Sequence, residues 1–289
     1  MRPRIACSFS GGRSSAVMAK IVREKYESTH DISYLFANTG AEDDRTLDFV
    51  DAVDKHFLGG KLVWIEAVFH PRGKGPTAKI VNYQTASRNH EPFEEAVKKH
   101  GVFCKTHPQC TSRLKEEPMT SYRRSIGWKN GTYSTAIGIR ADEIDRCSSK
   151  AREKMFIYPL VEEGWTSDMV RSFMAQFDWD LKIPNAAWGN CVGCFKKTNR
   201  KLMTVAAVEP HRFDFYSRME KEYGSLDIAG TGTEPRVFYR SRKSAEDIVN
   251  MSRTESFIPY EDSLIETMFD ENLDIGGGCG DSCEIGADE

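Results

Sequence analysis

The sequence predicts an α/β fold: a parallel sheet flanked by helices, with a helical C-terminal region. Three features carry this reading. Apolar strand-like runs alternate with helical patterns through residues 5–69. Strand–helix–strand–helix–strand at that spacing builds a parallel sheet with right-handed crossovers. A further run at 132–139 is rich in β-branched side chains, and beyond Tyr158-Pro159-Leu160 the periodicity is helical.

Residues 5–10 (Ile-Ala-Cys-Ser-Phe-Ser) read as a short buried strand ended by Gly11 and Gly12. Residues 14–26 then place Ala16, Val17, Ala19, Ile21 and Val22 at helical spacing. An apolar strand at 32–37 leads into the turn Asn38-Thr39-Gly40. A helix at 44–57 buries Leu47, Phe49, Val50 and Val53, and a third strand spans 61–69. Further helices are predicted at 93–100 and 111–124, at 166–177 behind a Thr-Ser-Asp cap, and at 199–208 and 212–223. The chain divides into an α/β unit at 1–160, a helical region at 161–253 and an acidic, partly flexible tail at 254–289.

With 39% hydrophobic and 29% charged residues over 289 positions, the composition suits a globular protein. No apolar run approaches the ~20 residues that span a bilayer. Nor does a signal-peptide core follow Met1-Arg2-Pro3-Arg4, so a cytoplasmic protein with no membrane partner is expected. The net charge of −3 hides an asymmetry. From Thr254 onward there are 11 acids and no Lys or Arg, which leaves residues 1–253 with a balance of +8. A basic body suits phosphate-bearing ligands, nucleic acid included. Eight cysteines (Cys7, Cys104, Cys110, Cys147, Cys191, Cys194, Cys279 and Cys283) point, in a reducing compartment, to metal ligands or redox thiols.

The turn Ser10-Gly11-Gly12-Arg13-Ser14-Ser15, between a buried strand and a helix, suits anion binding. Glycines admit positive φ and close approach of the backbone. Successive N–H groups then converge at the positive end of the helix dipole. Ser8, Ser10, Ser14 and Ser15 add hydroxyls, and Arg13 adds charge. A tight turn without a ligand is the plainer alternative.

Other stretches match the same pattern: Phe36-Ala37-Asn38-Thr39-Gly40-Ala41-Glu42 with Thr46-Leu47 and Phe49, then Cys110-Thr111-Ser112-Arg113-Leu114-Lys115 with Pro118. Gly138-Ile139-Arg140-Ala141-Asp142-Glu143 with Arg146, Tyr158-Pro159-Leu160 and Gly189-Asn190-Cys191-Val192-Gly193-Cys194 complete the series. In this order, over roughly residues 5–223, the chain resembles the PP-loop adenine-nucleotide α-hydrolase superfamily. Within it, the resemblance is to the phosphoadenosine-phosphosulfate (PAPS) reductase-like branch often met in phage genomes.

The resemblance implies a Rossmann-like domain whose PP-loop holds ATP, PAPS or APS, with Asn38, Thr39 and Gly40 beside it. It also implies that Gly138, Arg140 and Glu143 face the ligand. One departure stands out: ATP-cleaving members read Ser-Gly-Gly-x-Asp-Ser, whereas here that acid is Ser14. A Mg2+ ion at the loop would then need Asp43, Asp44 or Asp142.

Cys191 and Cys194 form a C-x2-C pair, and Cys104 and Cys110 bracket His107. Four soft thiolates in two close pairs suit a [4Fe-4S] cluster or a structural zinc. Buried thiols and a reducible pair are the alternatives. The layout of Cys110 with Lys115 and Pro118, then Cys191 and Cys194, is similar to cluster-bearing adenosine-phosphosulfate reductases. Those carry adjacent cysteines where this chain has Gln109-Cys110, which leaves Cys104 as the fourth ligand. Cys7 and Cys147 read as structural.

The leading functional expectation is action at a nucleotide's α-phosphate coupled to sulfur transfer. Its partners are an acceptor such as tRNA or DNA, or a sulfur-donor protein, and a homodimer is the candidate assembly. The competing readings are thiol-dependent reduction of PAPS or APS by Cys283 on the Gly-rich tail, and a nucleotide-sensing module without turnover.

Overall fold

The computed structural model describes residues 2–71, 73–226 and 234–262. Among these residues, six strands make one sheet in the order β4-β3-β2-β1-β5-β6. They are β1 (Arg4–Phe9), β2 (Asp31–Asn38), β3 (Leu62–Val68), β4 (Thr77–Val81), β5 (Ser134–Ala136) and β6 (Phe156–Ile157). β1 pairs in parallel with β2 on one side and β5 on the other. The helices are α1 (Arg13–Tyr26), α2 (Asp44–Val53), α3 (Glu91–His100), α4 (Glu117–Ser125), α5 (Pro159–Glu162), α6 (Ser167–Met174), α7 (Asn199–Val208), α8 (Asp214–Tyr223) and α9 (Ala245–Thr254).

Strand alternation splits the burial between two faces of the sheet. Ile5, Cys7 and Phe9 join Tyr34 and Phe36 in a core with α1, α2 and α6. Leu35, Ala37 and Ile65 face Met119 of α4 instead. A second large core, with Phe93, Trp188, Phe213, Tyr216 and Phe238, joins α3 to the C-terminal helices. No helix among the described residues is long and apolar enough to cross a membrane.

Several features differ from the sequence expectation, among them the helix expected at 44–57, which is α-helical to Val53 and ends in a π turn, Asp54–Leu58. β4 is an antiparallel edge strand on β3; with only Val81 fully buried, its side chains carry no clean period-2 signal. The helix expected at 111–124 is interrupted by a π turn, Ser112–Glu116, and is regularly α-helical from Glu117. Pro118 explains this, since it has no N–H to donate and its ring crowds the carbonyl four residues back. Helix α9 is additional, and its start is a reciprocal Ser244–Asp247 capping box.

Glu220 ties α8 to the chain leading into α9, accepting the N–H groups of Phe238 and Ala245 at 2.8 and 2.9 Å. Burial pushes its carboxyl up to about 7. The folded state therefore holds this proton more tightly than the unfolded chain does. The resulting stabilisation is full below pH ~4.5 and fades as pH rises through about 7, by ~3 kcal/mol in all. Melting curves from pH 4.5 to 8 should show this decline in the wild type, with its slope in that window reduced in Glu220→Gln. Parallel pH profiles would contradict it.

Candidate functional site

From β1 the chain runs to β2 and β3 on one side, then returns to β5 on the other. The strand order therefore reverses between β1 and β5, and ligands in open α/β sheets sit outside the carboxyl ends of strands at such a reversal. The Ser-Gly-Gly turn leaves β1 there. Gly11 has φ +86°, and a Cβ on it would come within 2.8 Å of Thr46 Cγ2. Ser15 Oγ accepts from Ser10 N at 3.2 Å, lies 2.9 Å from Ser10 Oγ and donates to Gly12 O at 2.9 Å. Gly12 caps α1 with no side chain, and the first turn carries no acid. The helix start thus offers its unpaired N–H groups and positive dipole end to an anion.

Arg140 follows β5 into the same crevice. Its NH1 donates to Ser14 Oγ at 3.0 Å, Nε contacts Asp142 Oδ1 at 3.3 Å, and NH2 lies 3.3 Å from Glu143 Oε1. The fold thus brings the phosphate turn, Arg140 and Glu143 together, although more than 120 residues separate them in sequence. Replacing Gly11 with alanine should strain the turn by ~1–3 kcal/mol and weaken AMP binding at least tenfold. Titration calorimetry with unchanged affinity would contradict that placement.

Two expected ligand contacts point elsewhere. Ser8 is buried against α4, where its hydroxyl receives Arg123 NH2 at 3.1 Å. Arg13 is held by Asp180, with Nε 2.9 Å from Oδ1, and by Leu181 O at 2.6 Å. It fastens the start of α1 to the segment after α6.

Asn38, Thr39 and Gly40 form the next turn, at the end of β2. Asn38 Nδ2 donates to Glu66 Oε1 and Ser87 O, both at 2.8 Å. Thr39 Oγ1 donates to Glu42 and lies 3.4 Å from Cys191 Sγ, while Val192 N donates to Ala41 O at 2.9 Å. The C-x2-C segment is therefore docked on the turn beside the phosphate loop. Cys110, Cys191 and Cys194 line one cavity with Thr39, Phe93 and Lys115. Lys197 is wholly buried near it, donating to Ala187 O and Val192 O at 2.7 and 3.0 Å.

Cys104 is absent from that lining; its Sγ lies 3.3 Å from Thr106 Oγ1. Among the described residues no three His, Cys, Asp or Glu side chains are grouped to hold one metal ion. The three thiols have the soft character that iron–sulfur clusters and zinc favour, but as arranged they do not complete such a site. Cys279 and Cys283 lie outside the described residues. For magnesium, Asp43 is 1% exposed and clamped by Arg45 and Arg212 at 2.7 and 3.0 Å, and Asp142 is taken by Arg140. Asp44 pairs with Arg88 at 3.3 Å.

Glu66 and His90 carry no spacing signal in the sequence yet shape the site. Glu66, 3% exposed, orients Asn38 across the β2–β3 ladder. His90 donates its N–H to Gly40 O at 3.0 Å and stacks on Phe215 with centroids 4.1 Å apart. Burial pushes its imidazole down to about 4, so the ring is neutral at physiological pH.

Residues 4–199 match the phosphoadenosine phosphosulfate reductase domain. The chain belongs to this family. An uncharacterized nin region protein of Escherichia phage lambda is 31% identical over 284 residues, covering 96% of this chain and 93% of that protein. A phosphoadenylyl-sulfate reductase from Candida auris, solved with phosphate, aligns over 60% of this chain and 72% of its own at 17% identity and a TM-score of 0.33. The family is enzymatic and handles adenylated nucleotides, in keeping with the resemblance drawn from the motifs.

Proposed function

We propose that the chain binds an adenine nucleotide with its phosphates at the Ser10–Ser15 turn and acts at the α-phosphate in sulfur transfer. The observation that carries this is the docking of the thiol-lined cavity on the Asn38–Glu42 turn, with Thr39 Oγ1 only 3.4 Å from Cys191 Sγ. Nucleotide and sulfur chemistry then share one crevice. With ATP, an acceptor oxygen would bond to the α-phosphorus as pyrophosphate leaves, and sulfur would later displace AMP. The turn's amides and Arg140 would neutralise the charge that develops. Glu143 would hold Arg140 in place. A nucleic acid or small acceptor fits the basic balance of residues 1–253.

The second reading is thiol-dependent reduction of PAPS or APS: the Cys283 thiolate would attack the sulfur as the adenine nucleotide leaves, and an external thiol would then release sulfite from the S-sulfocysteine, forming a disulfide. It is favoured by Ser14 in place of the acid and by the arginine-bound state of Asp43 and Asp142. Such a site suits a ligand that needs no magnesium.

Purified anaerobically, the protein should be assayed with ATP and with PAPS in the presence of a dithiol reductant, with and without EDTA. AMP and pyrophosphate released only from Mg-ATP support transfer. Sulfite from PAPS that survives EDTA and is lost in Cys283→Ser supports reduction. Turnover of neither substrate would defeat both. An optical spectrum with iron and zinc assays reads the [4Fe-4S] and zinc alternatives directly; a colourless, metal-free protein leaves Cys110, Cys191 and Cys194 to act as thiols.

A further inference from the structure

Behind the phosphate turn lies a charge that the site's direct contacts do not use. Arg123, in the last turn of α4, is 2% exposed. One nitrogen donates to Ser8 Oγ at 3.1 Å, and the guanidinium carbon lies 5.6 Å from the centroid of the Tyr133 ring. Its Nε has no hydrogen-bond partner. Among the described residues no carboxylate pairs with it; the polar groups acting on it are Tyr133, Ser8 and the Cys7 thiol.

A guanidinium keeps its proton at any ordinary pH, so this charge is permanent. An unpaired charge in a protein interior is strongly unfavourable. Burial accordingly pushes its pKa down. Leucine or methionine would fill the place under Ser8 at no such cost, so the charge calls for a reason.

The reason is supplied by position. Ser8 precedes the turn by two residues, and an extended chain advances at most ~3.6 Å per residue. Two residues of chain and the Ser8 side chain thus put the guanidinium on the order of 10 Å from the start of the turn, on the sheet face opposite the core that α1 shares. Protein rather than water fills much of that path, and buried charges are screened little by salt.

We propose that Arg123 is an electrostatic positioning residue that raises the turn's affinity for a phosphoryl group without touching it. This rests on the reading of Ser10–Ser15 as a nucleotide phosphate site. A unit charge ~10 Å away, at an effective dielectric near 20, changes affinity for a single negative charge by roughly tenfold.

The test compares AMP with adenosine by titration calorimetry in the full chain. The wild type should bind AMP more tightly than adenosine. Arg123→Met should weaken AMP about tenfold or more, since its phosphate carries up to two charges, while leaving adenosine unchanged. A residue that merely props up β1 would weaken both alike. Arg123→Gln, polar but uncharged, guards against misfolding of the methionine variant. It should show the same selective loss. Equal losses for both ligands, no loss in either variant, or wild-type AMP affinity in Arg123→Gln would overturn the proposal. If the wild type does not prefer AMP to adenosine, the phosphate-site reading itself falls, which the variants' behaviour cannot mimic.

Discussion

Gly193→Ala is expected to cost ~3 kcal/mol or more and to lower the melting temperature by about 10 °C. A Cβ on Gly193 would lie 2.2 Å from Tyr216 Cε2 and 2.5 Å from Cζ. The ring cannot swing away. Tyr216 is 1% exposed, with Phe93, Phe215 and Phe238 edge-on and Phe213 and Tyr239 tilted against it. The backbone must move instead, and with it Cys194 and the cavity wall. Thermal melts would decide: a variant within 2 °C of the wild type would show that the two groups are not in contact.

Arg140→Met should reduce turnover by roughly 10²–10³-fold, the usual effect of removing one preorganised charge from a developing oxyanion. Arg140 is bonded directly to the phosphate turn, through Ser14. Its loss would also leave the Asp142 carboxylate without its cation, repelling the nucleotide, while Glu143 keeps Arg146. Both kcat and AMP affinity should therefore fall, with kcat falling further. Steady-state kinetics with whichever substrate proves active would measure the split. A loss below threefold would remove Arg140 from the chemistry.

Much of this arrangement is legible from residues alone. Strands β1, β2 and β3 are dense apolar runs, and a Gly pair between a strand and a helix admits few conformations. Asn199–Val208 emerges at the bounds its pattern suggests because Thr198 caps it sharply. The rest depends on distant partners. Nothing around Arg13 announces Asp180, 167 residues away. Glu66 reads as one polar residue in an apolar strand until Asn38 is placed opposite it. Cys110 lines one cavity with Cys191 and Cys194 across some 80 residues, whereas Cys104, near Cys110 in sequence, is turned toward Thr106 by a local bridge with His107. The Ser244 box at α9 is local and visible in the sequence, with Ala245, Ile248 and Val249 at helical spacing behind it.

The clasp between Arg13 and Asp180 bears on how this protein can be dissected. A fragment ending near Leu160 would keep every strand and the whole glycine turn. It would still lose the carboxylate that fastens the start of α1, the Val192 amide that Ala41 receives, and the cover that Val170, Met174 and Leu181 give the first core. Such a fragment would expose oily surface and bind nucleotide poorly. Trimming experiments should therefore start from the far end of the chain.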